Sequence, residues 1–217
     1  MISLYCITHE LLEYASMSLK SILSVVDSSK LDVTVIDAKS CRSDEISVWG
    51  RKLVDNGRIN RFVSASENCK GEGLVWAFEN FPPSGKFCVF TDLDLLVDFD
   101  WLADTEASFF EYYPYEVTGY SLKTDNYVKP NYGFVENGFG TWLMGCEVDF
   151  YRNYLKNYST HIDGQVLNTA NCWWKSTKTL YHSGWDAWKD YPEYWERRKK
   201  GVDWEKRTNS LYTIYEK

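Results

Sequence analysis

The residues best placed to do chemistry close a short apolar run. Phe87-Cys-Val-Phe90 leads into Thr91-Asp92-Leu93-Asp94, and Asp98 and Asp100 follow within a few positions. An aromatic and β-branched run that begins after Pro82, Pro83 and Gly85 reads as a buried strand. Two carboxylates at i and i+2 on the end of such a strand are expensive to bury unless positive charge meets them. A hard divalent cation does so directly. Mg²⁺ and Mn²⁺ take carboxylate oxygens and complete their shells with phosphates and water. The bland alternative for any Asp-x-Asp is a solvated acidic turn or a pair of capping aspartates.

Other polar residues fall at comparable places. Thr8 and His9 end the first apolar run, and Asp37 ends the second. In an open parallel sheet ligands sit beyond the carboxyl ends of the strands, so Thr8, Asp37, Asp92 and Asp94 can share one cleft. The stretch 68–80 carries Asn68, Lys70, Gly71 and Gly73 ahead of a helical pattern. Glycines there let a backbone approach a ligand, and the helix start offers free N–H groups to an anion; a tight loop without a ligand reads equally well. Asp163 stands near the start of a helical stretch, where a carboxylate also serves as a cap. His182 taken alone is a packed or surface histidine. Trp142, Trp173, Trp174 and Trp185 can stack on sugars or fill a core.

These residues need a framework of alternating elements. Residues 2–8 read as a strand, 11–26 as an amphipathic helix and 31–37 as a second strand. A β–α–β run with a crossover helix implies parallel strands in an α/β fold. A helix to about residue 54, a third strand at 57–63 and the 68–80 turn and helix precede the Asp92 strand. Farther on, the pattern predicts a helix at 101–115, a strand at 116–120, a loop at 121–132 and a glycine-spaced strand at 137–145. A helix at 147–158, another from 161, and a strand end and turn at 179–188 complete it. The tail from 189 is highly charged. Its Arg197-Arg-Lys-Lys200 run reads as a solvated face.

Totals set the class. The chain has 217 residues, 44% hydrophobic and 25% charged, enough for one large domain with a sizeable core. The formal net charge of -7 argues against broad phosphate-driven nucleic-acid binding. Six scattered cysteines without a C-x-x-C pair read as free thiols in a reducing compartment. No basic, apolar leader and no long apolar stretch is present, so neither a secretory signal nor a transmembrane helix is expected. The corresponding expectation is a cytoplasmic protein, or one of the host cytoplasm if the source is viral.

In their order along the chain these parts resemble a GT-A fold glycosyltransferase. The resemblance spans nearly the whole chain. It rests on the β–α–β start, Asp37 closing the second strand, the turn with Asn68, Lys70 and Gly71, and the Asp92-Leu93-Asp94 motif. The run 137–145, Asp163 opening a helix and a late His182 complete it. It implies a single domain over 1–217: a Rossmann-like α/β/α sandwich with a mainly parallel central sheet. Residues 1–100 would form the nucleotide-sugar half and 101–217 the acceptor half. It implies Mn²⁺ or Mg²⁺ on Asp92, Asp94 and His182, and a nucleoside-diphosphate sugar, in expectation a UDP-sugar. Thr8, His9, Asp37, Lys70, Asp92 and Asn137 would contact that donor. Trp142 and Trp185 would contact a glycan or glycoconjugate acceptor.

Asp163 carries the fork in the chemistry. Inverting relatives use a carboxylate there to deprotonate the acceptor hydroxyl. The run Asp163-Gly-Gln165 and His182-Ser-Gly184 also resemble small retaining members, where such a residue orients the donor sugar. Two rival functions are a sugar nucleotidyltransferase and a non-catalytic carbohydrate-binding module. The first expects a basic, glycine-rich loop where this chain has Thr8-His9-Glu10. The second has no use for Asp92, Asp94 and His182 together.

Overall fold

Apolar residues alternating along strands, and recurring every third or fourth position along helices, build the framework. The computed structural model describes residues 1–9, 12–40, 42–67, 70–111, 116–123, 143–153, 173–182 and 210–217. The first half alternates: β1 (Ile2–Thr8), α1 (Leu12–Ser24), β2 (Leu31–Asp37), α2 (Ser43–Asp55), β3 (Arg61–Ala65), α3 (Lys70–Asn80) and β4 (Phe87–Asp92). Then come β5 (Leu95–Leu96), α4 (Trp101–Glu111), β6 (Val117–Lys123), β7 (Leu143–Glu147), α5 (Val148–Asn153), β8 (Trp173–His182) and β9 (Tyr212–Glu216).

The described strands make a 9-stranded sheet in the order β5-β8-β6-β7-β4-β1-β2-β3-β9. Its centre, β4-β1-β2-β3, is parallel throughout. That is what strand–helix alternation dictates, because each crossover helix returns the chain to the same end of the sheet. β6 and β8 also run parallel. The β4–β7, β6–β7, β5–β8 and β3–β9 pairs are antiparallel.

Period-two alternation sorts the central strands between two cores. Leu4, Cys6, Val33, Val35, Phe62 and Val89 face one side, with Leu19 and Ile22 of α1, Ile46 and Val54 of α2, and Trp101 and Leu102 of α4. Tyr5, Ile7, Ile36, Val63, Cys88 and Phe90 face the other, with Leu74, Ala77 and Phe78 of α3 and Phe150 and Tyr151 of α5. Helices therefore cover both faces, giving the α/β/α layering. β1 is buried at every position, which is why it reads as a continuous apolar run. Cys6, Cys88 and Cys146 are free and buried, filling the interior as small hydrophobes. Among the described residues, no helix is long and apolar enough to cross a membrane.

Several boundaries differ from the sequence expectation. The third strand starts at Arg61 rather than residue 57, because Gly57 adopts a positive φ of 66° and closes α2. Its N–H donates to the Val54 carbonyl (2.9 Å), and Asn60 then pairs with Val33 before the strand begins. Strand β6 continues through Lys123 where a loop from 121 is expected. Gly71 and Gly73 lie inside α3 rather than in a turn before it. Strands β5 and β9 were not expected, and β8 spans Trp173–His182, well before the expected strand end at 179.

Candidate functional site

Strand register decides which polar residues meet. In the parallel β1–β2 pair Thr8 stands opposite Asp37, and in β1–β4 Ile7 stands opposite Asp92. The Leu93 N–H donates to the Ile7 carbonyl (3.0 Å), carrying the β1–β4 contact up to Asp94. So Asp37 and the Asp92–Asp94 pair flank the end of β1, two strand spacings or ~10 Å apart. Strand order reverses here, since β1 has β2 on one side and β4 on the other. Such a switch point is where open α/β sheets form their binding crevice.

Each acid is held from water. Asp37 is fully buried, and Asp92 and Asp94 are 8% and 7% exposed. Burial pushes the Asp37 carboxyl above the ordinary carboxylate range, opposed in part by the nearby Ser40 and Ser43 hydroxyls, the Ser40 amide and Lys39. The turn after β2 explains that shielding. The Ser40 N–H donates to Asp37 Oδ1 (2.8 Å), and Lys39 between them takes a left-handed φ of 59°. The Ala38 N–H donates to the Thr8 carbonyl (2.8 Å), and His9 donates Nδ1–H to the Ala38 carbonyl (3.0 Å). Thr8 and His9 therefore fix the loop that presents Asp37. Sequence reasoning missed Ser40; the signal for it was a hydroxyl three residues past an acid that ends a strand.

β5 reaches the same region from the other side. Leu95 pairs with His182 and Leu96 with Tyr181, so the backbone of His182 lies opposite the residue after Asp94. The side chains of His182 and Lys70 lie outside the described set, as do Asn137, Trp142, Asp163 and Trp185 altogether. Lys70 is the first residue of α3. Among the described residues, no group of three or more His, Cys, Asp or Glu side chains is placed to hold a metal. Asp92 and Asp94 nonetheless give two oxygen-donor side chains two residues apart, and that donor type suits a hard divalent cation.

No protein-family model and no curated protein sequence matches this chain. Solved structures do. Residues 1–349 of S. aureus TarS in complex with UDP-GlcNAc align with a TM-score of 0.61 at 15% identity, over 83% of this chain and 58% of that one. The mannosyltransferase PcManGT from Pyrobaculum calidifontis, in complex with GDP-Man and Mn²⁺, aligns with a TM-score of 0.59 at 12% identity, over 93% of this chain and 65% of that one. Glucosyl-3-phosphoglycerate synthase from Mycobacterium tuberculosis, in complex with Mn²⁺, UDP and glucosyl-3-phosphoglycerate, aligns with a TM-score of 0.52 at 15% identity, over 83% of this chain and 72% of that one. The chain spans only 38% of the longer TarS chain. At these identities the likeness is one of fold.

Proposed function

We propose that this chain, which has the GT-A fold, is a metal-dependent glycosyltransferase. It moves a sugar from a nucleoside-diphosphate sugar, a UDP-sugar, to a hydroxyl of a glycan or glycoconjugate. One observation carries the reading: Asp37 and the buried Asp92–Asp94 pair stand at the same end of the parallel strands, on either side of β1. A nucleoside at the Asp37 side leaves its diphosphate at the Asp92–Asp94 side. The ligands in complex with the structural neighbours, UDP-GlcNAc, GDP-Man with Mn²⁺, and UDP with Mn²⁺, support a donor of this class.

The chain's residues divide the work. Asp92 and Asp94, with His182 as third ligand, would hold Mn²⁺ or Mg²⁺. When bound, that ion neutralises the negative charge that grows on the diphosphate as the sugar leaves. Asp37 binds base or ribose, with Thr8 and His9 fixing its loop and Asn137 adding a donor contact. Lys70 opens α3, where helix-terminal N–H groups and the dipole favour anions. Asp163 takes the proton of the acceptor hydroxyl in an inverting displacement, or orients the donor sugar in a retaining one. Trp142 and Trp185 stack on the acceptor. The setting is the cytoplasm.

Thermal unfolding with Mn²⁺ and nucleoside diphosphates tests the reading. UDP with Mn²⁺ should raise Tm, UDP without the metal should not, and Mn²⁺ alone should raise it less than the two together. Asp94→Ala should remove that rise and the transfer of sugar. A rise with free sugars but not with nucleotides would replace the reading with a carbohydrate-binding module.

A further inference from the structure

The backbone around Asp92 and Asp94 is held by two different kinds of element. The Thr91 hydroxyl donates to the Asp92 carbonyl (3.0 Å), and the Leu93 N–H donates to the Ile7 carbonyl (3.0 Å). Both ends of the Asp92–Leu93 peptide are therefore tied by strands β4 and β1. The Leu95 N–H donates instead to Ser18 Oγ of α1 (3.1 Å), a residue 77 positions away in sequence. A peptide group is planar, so that one bond holds the whole Asp94–Leu95 unit, the Asp94 Cα and carbonyl included. Two residues on, the Val97 N–H donates to Ser21 Oγ (3.2 Å), and the Ser21 hydroxyl donates to the Ser18 carbonyl (2.9 Å). Positions i and i+3 share a helix face, so Ser18 and Ser21 present their oxygens along one line. Helix α1 thus supplies to β5 the acceptors that a neighbouring strand would supply, while β8 pairs with it.

Packing does not call for these hydroxyls. The buried face of α1 is Ala15, Ser18, Leu19 and Ile22, and Ser18 is its polar member, fully shielded from water. Serine is a weaker helix former than alanine or leucine, because its hydroxyl competes for backbone partners. What Ser18 meets is the amide attached to Asp94. We infer that Ser18 and Ser21 are positioning residues for the divalent cation: from α1 they set the direction of the Asp94 carboxylate relative to Asp92. The inference rests on the metal-dependent reading above and deepens it. Oxygen ligands of Mg²⁺ or Mn²⁺ must fall at set distances around the ion. A small turn of the Asp94–Leu95 peptide would take one carboxylate away from an ion held by the other. The same turn would shift β5, whose Leu95 stands opposite His182. The competing explanation is that Ser18 and Ser21 only satisfy two buried amides, with no bearing on the ion.

Titration of the full chain with Mn²⁺, read from the EPR signal of the free ion, separates the two. It is run at a temperature where circular dichroism shows each variant folded, so that a loss of stability alone leaves the affinity unchanged. Ser18→Ala should bind Mn²⁺ roughly tenfold more weakly than wild type, or worse, as loss of a group that orients a metal ligand does. Ser24→Ala is the control, since the Ser24 hydroxyl returns to the Ser21 carbonyl of its own helix (3.0 Å); it should bind as wild type does. Ser21→Ala should show a smaller loss than Ser18→Ala, and Ser21→Thr, which keeps the hydroxyl, should retain wild-type affinity. UDP binding by Ser18→Ala should be weakened at limiting Mn²⁺ and recover at saturating Mn²⁺. Ser18→Ala binding Mn²⁺ as tightly as wild type would overturn the inference, and so would a loss of UDP binding that saturating Mn²⁺ does not restore. If Ser18→Ala does not fold, the Ser21 pair decides: wild-type Mn²⁺ affinity in Ser21→Ala, or an equal loss in Ser21→Thr, overturns it. Absence of Mn²⁺ binding by the wild-type chain, with and without UDP, would overturn the metal-dependent reading, and the inference with it.

Discussion

Single side chains here hold charge where water cannot reach it, and this has a sign that can be measured. Burial raises the Asp37 carboxyl above its ordinary range. Its folded pKa then exceeds its unfolded one, so between the two values the folded chain holds more protons than the unfolded chain. Stability from this group is present below the unfolded pKa and is lost as pH rises through the folded pKa. Ionising the buried Asp37 is therefore a net burden on the folded state. Asp37→Asn removes the burden. The variant should gain stability over wild type as pH rises from the ordinary carboxylate range, and the gain should level off above the folded pKa. Urea titrations of both proteins across that window would show it; a difference that stays flat with pH would refute the assignment. Asp163 belongs to the same scale. Asp163→Asn should leave UDP affinity near wild type and cut turnover by roughly two powers of ten or more, as loss of a general base does. A mild loss in single-turnover assays would indicate the retaining route.

Elements position these side chains, and their packing has few spare ångströms. Gly50 lies on the buried side of α2 against β3. A Cβ added there would stand 2.2 Å from Phe62 Cδ2 and 2.3 Å from Cγ. Phe62 has little room to yield, being fully buried and stacked on Tyr215 of β9 with ring centroids 6.2 Å apart. Helix propensity alone would favour Gly50→Ala by about 1 kcal/mol. Overpacking opposes it with about 1–3 kcal/mol, so the net effect should be destabilising. The urea midpoint should fall with the m-value unchanged. Strand β9 matters for a related reason: it covers the edge of β3, which contributes the buried Phe62 and Val63. Deleting residues 210–217 should expose that edge and cause concentration-dependent aggregation, visible by light scattering. These elements were not equally legible. β1, β2 and β4 were readable because each is a dense apolar run ending in a polar residue. β9 was not, because Tyr212-Thr-Ile-Tyr-Glu216 follows a highly charged tail and is largely exposed, so it shows no buried alternation. β5 is two residues long and exists only by pairing with β8, which no local pattern can reveal. The site followed the same rule. Asp37, Asp92 and Asp94 stood out as candidates because acids ending apolar strands are conspicuous. Ser40 did not, because its contact with Asp37 comes from a turn geometry that residue type does not reveal.

At the scale of the whole molecule, the two ends of the parallel block have different duties. The ends of β1, β2 and β4 gather Thr8, His9, Asp37, Asp92 and Asp94, whereas their starts are closed by core packing. The net charge of -7 means that the molecule as a whole repels an anionic nucleotide. On the proposed function, nucleotide binding needs a local source of positive charge, which a cation on the Asp92–Asp94 pair would supply. Ligand energy should consequently enter at one end of the sheet and in one order. At a hundredfold excess over Kd, a bound nucleotide adds about 2.7 kcal/mol to global stability. Every amide whose exchange requires global unfolding should slow by that amount. Amides at the site should slow further, since local openings there are suppressed as well. Hydrogen exchange with UDP and Mn²⁺ should thus show the largest extra protection in residues 5–9, 35–40 and 90–96. The β3–β9 edge and the Gly57 turn should show only the global component. Mn²⁺ alone should protect 90–96 and leave 35–40 nearly unchanged, because the proposed cation site lies on one side of β1 and the proposed nucleoside site on the other. Equal protection of both segments by the metal alone would show that the two sides of β1 are not separate subsites.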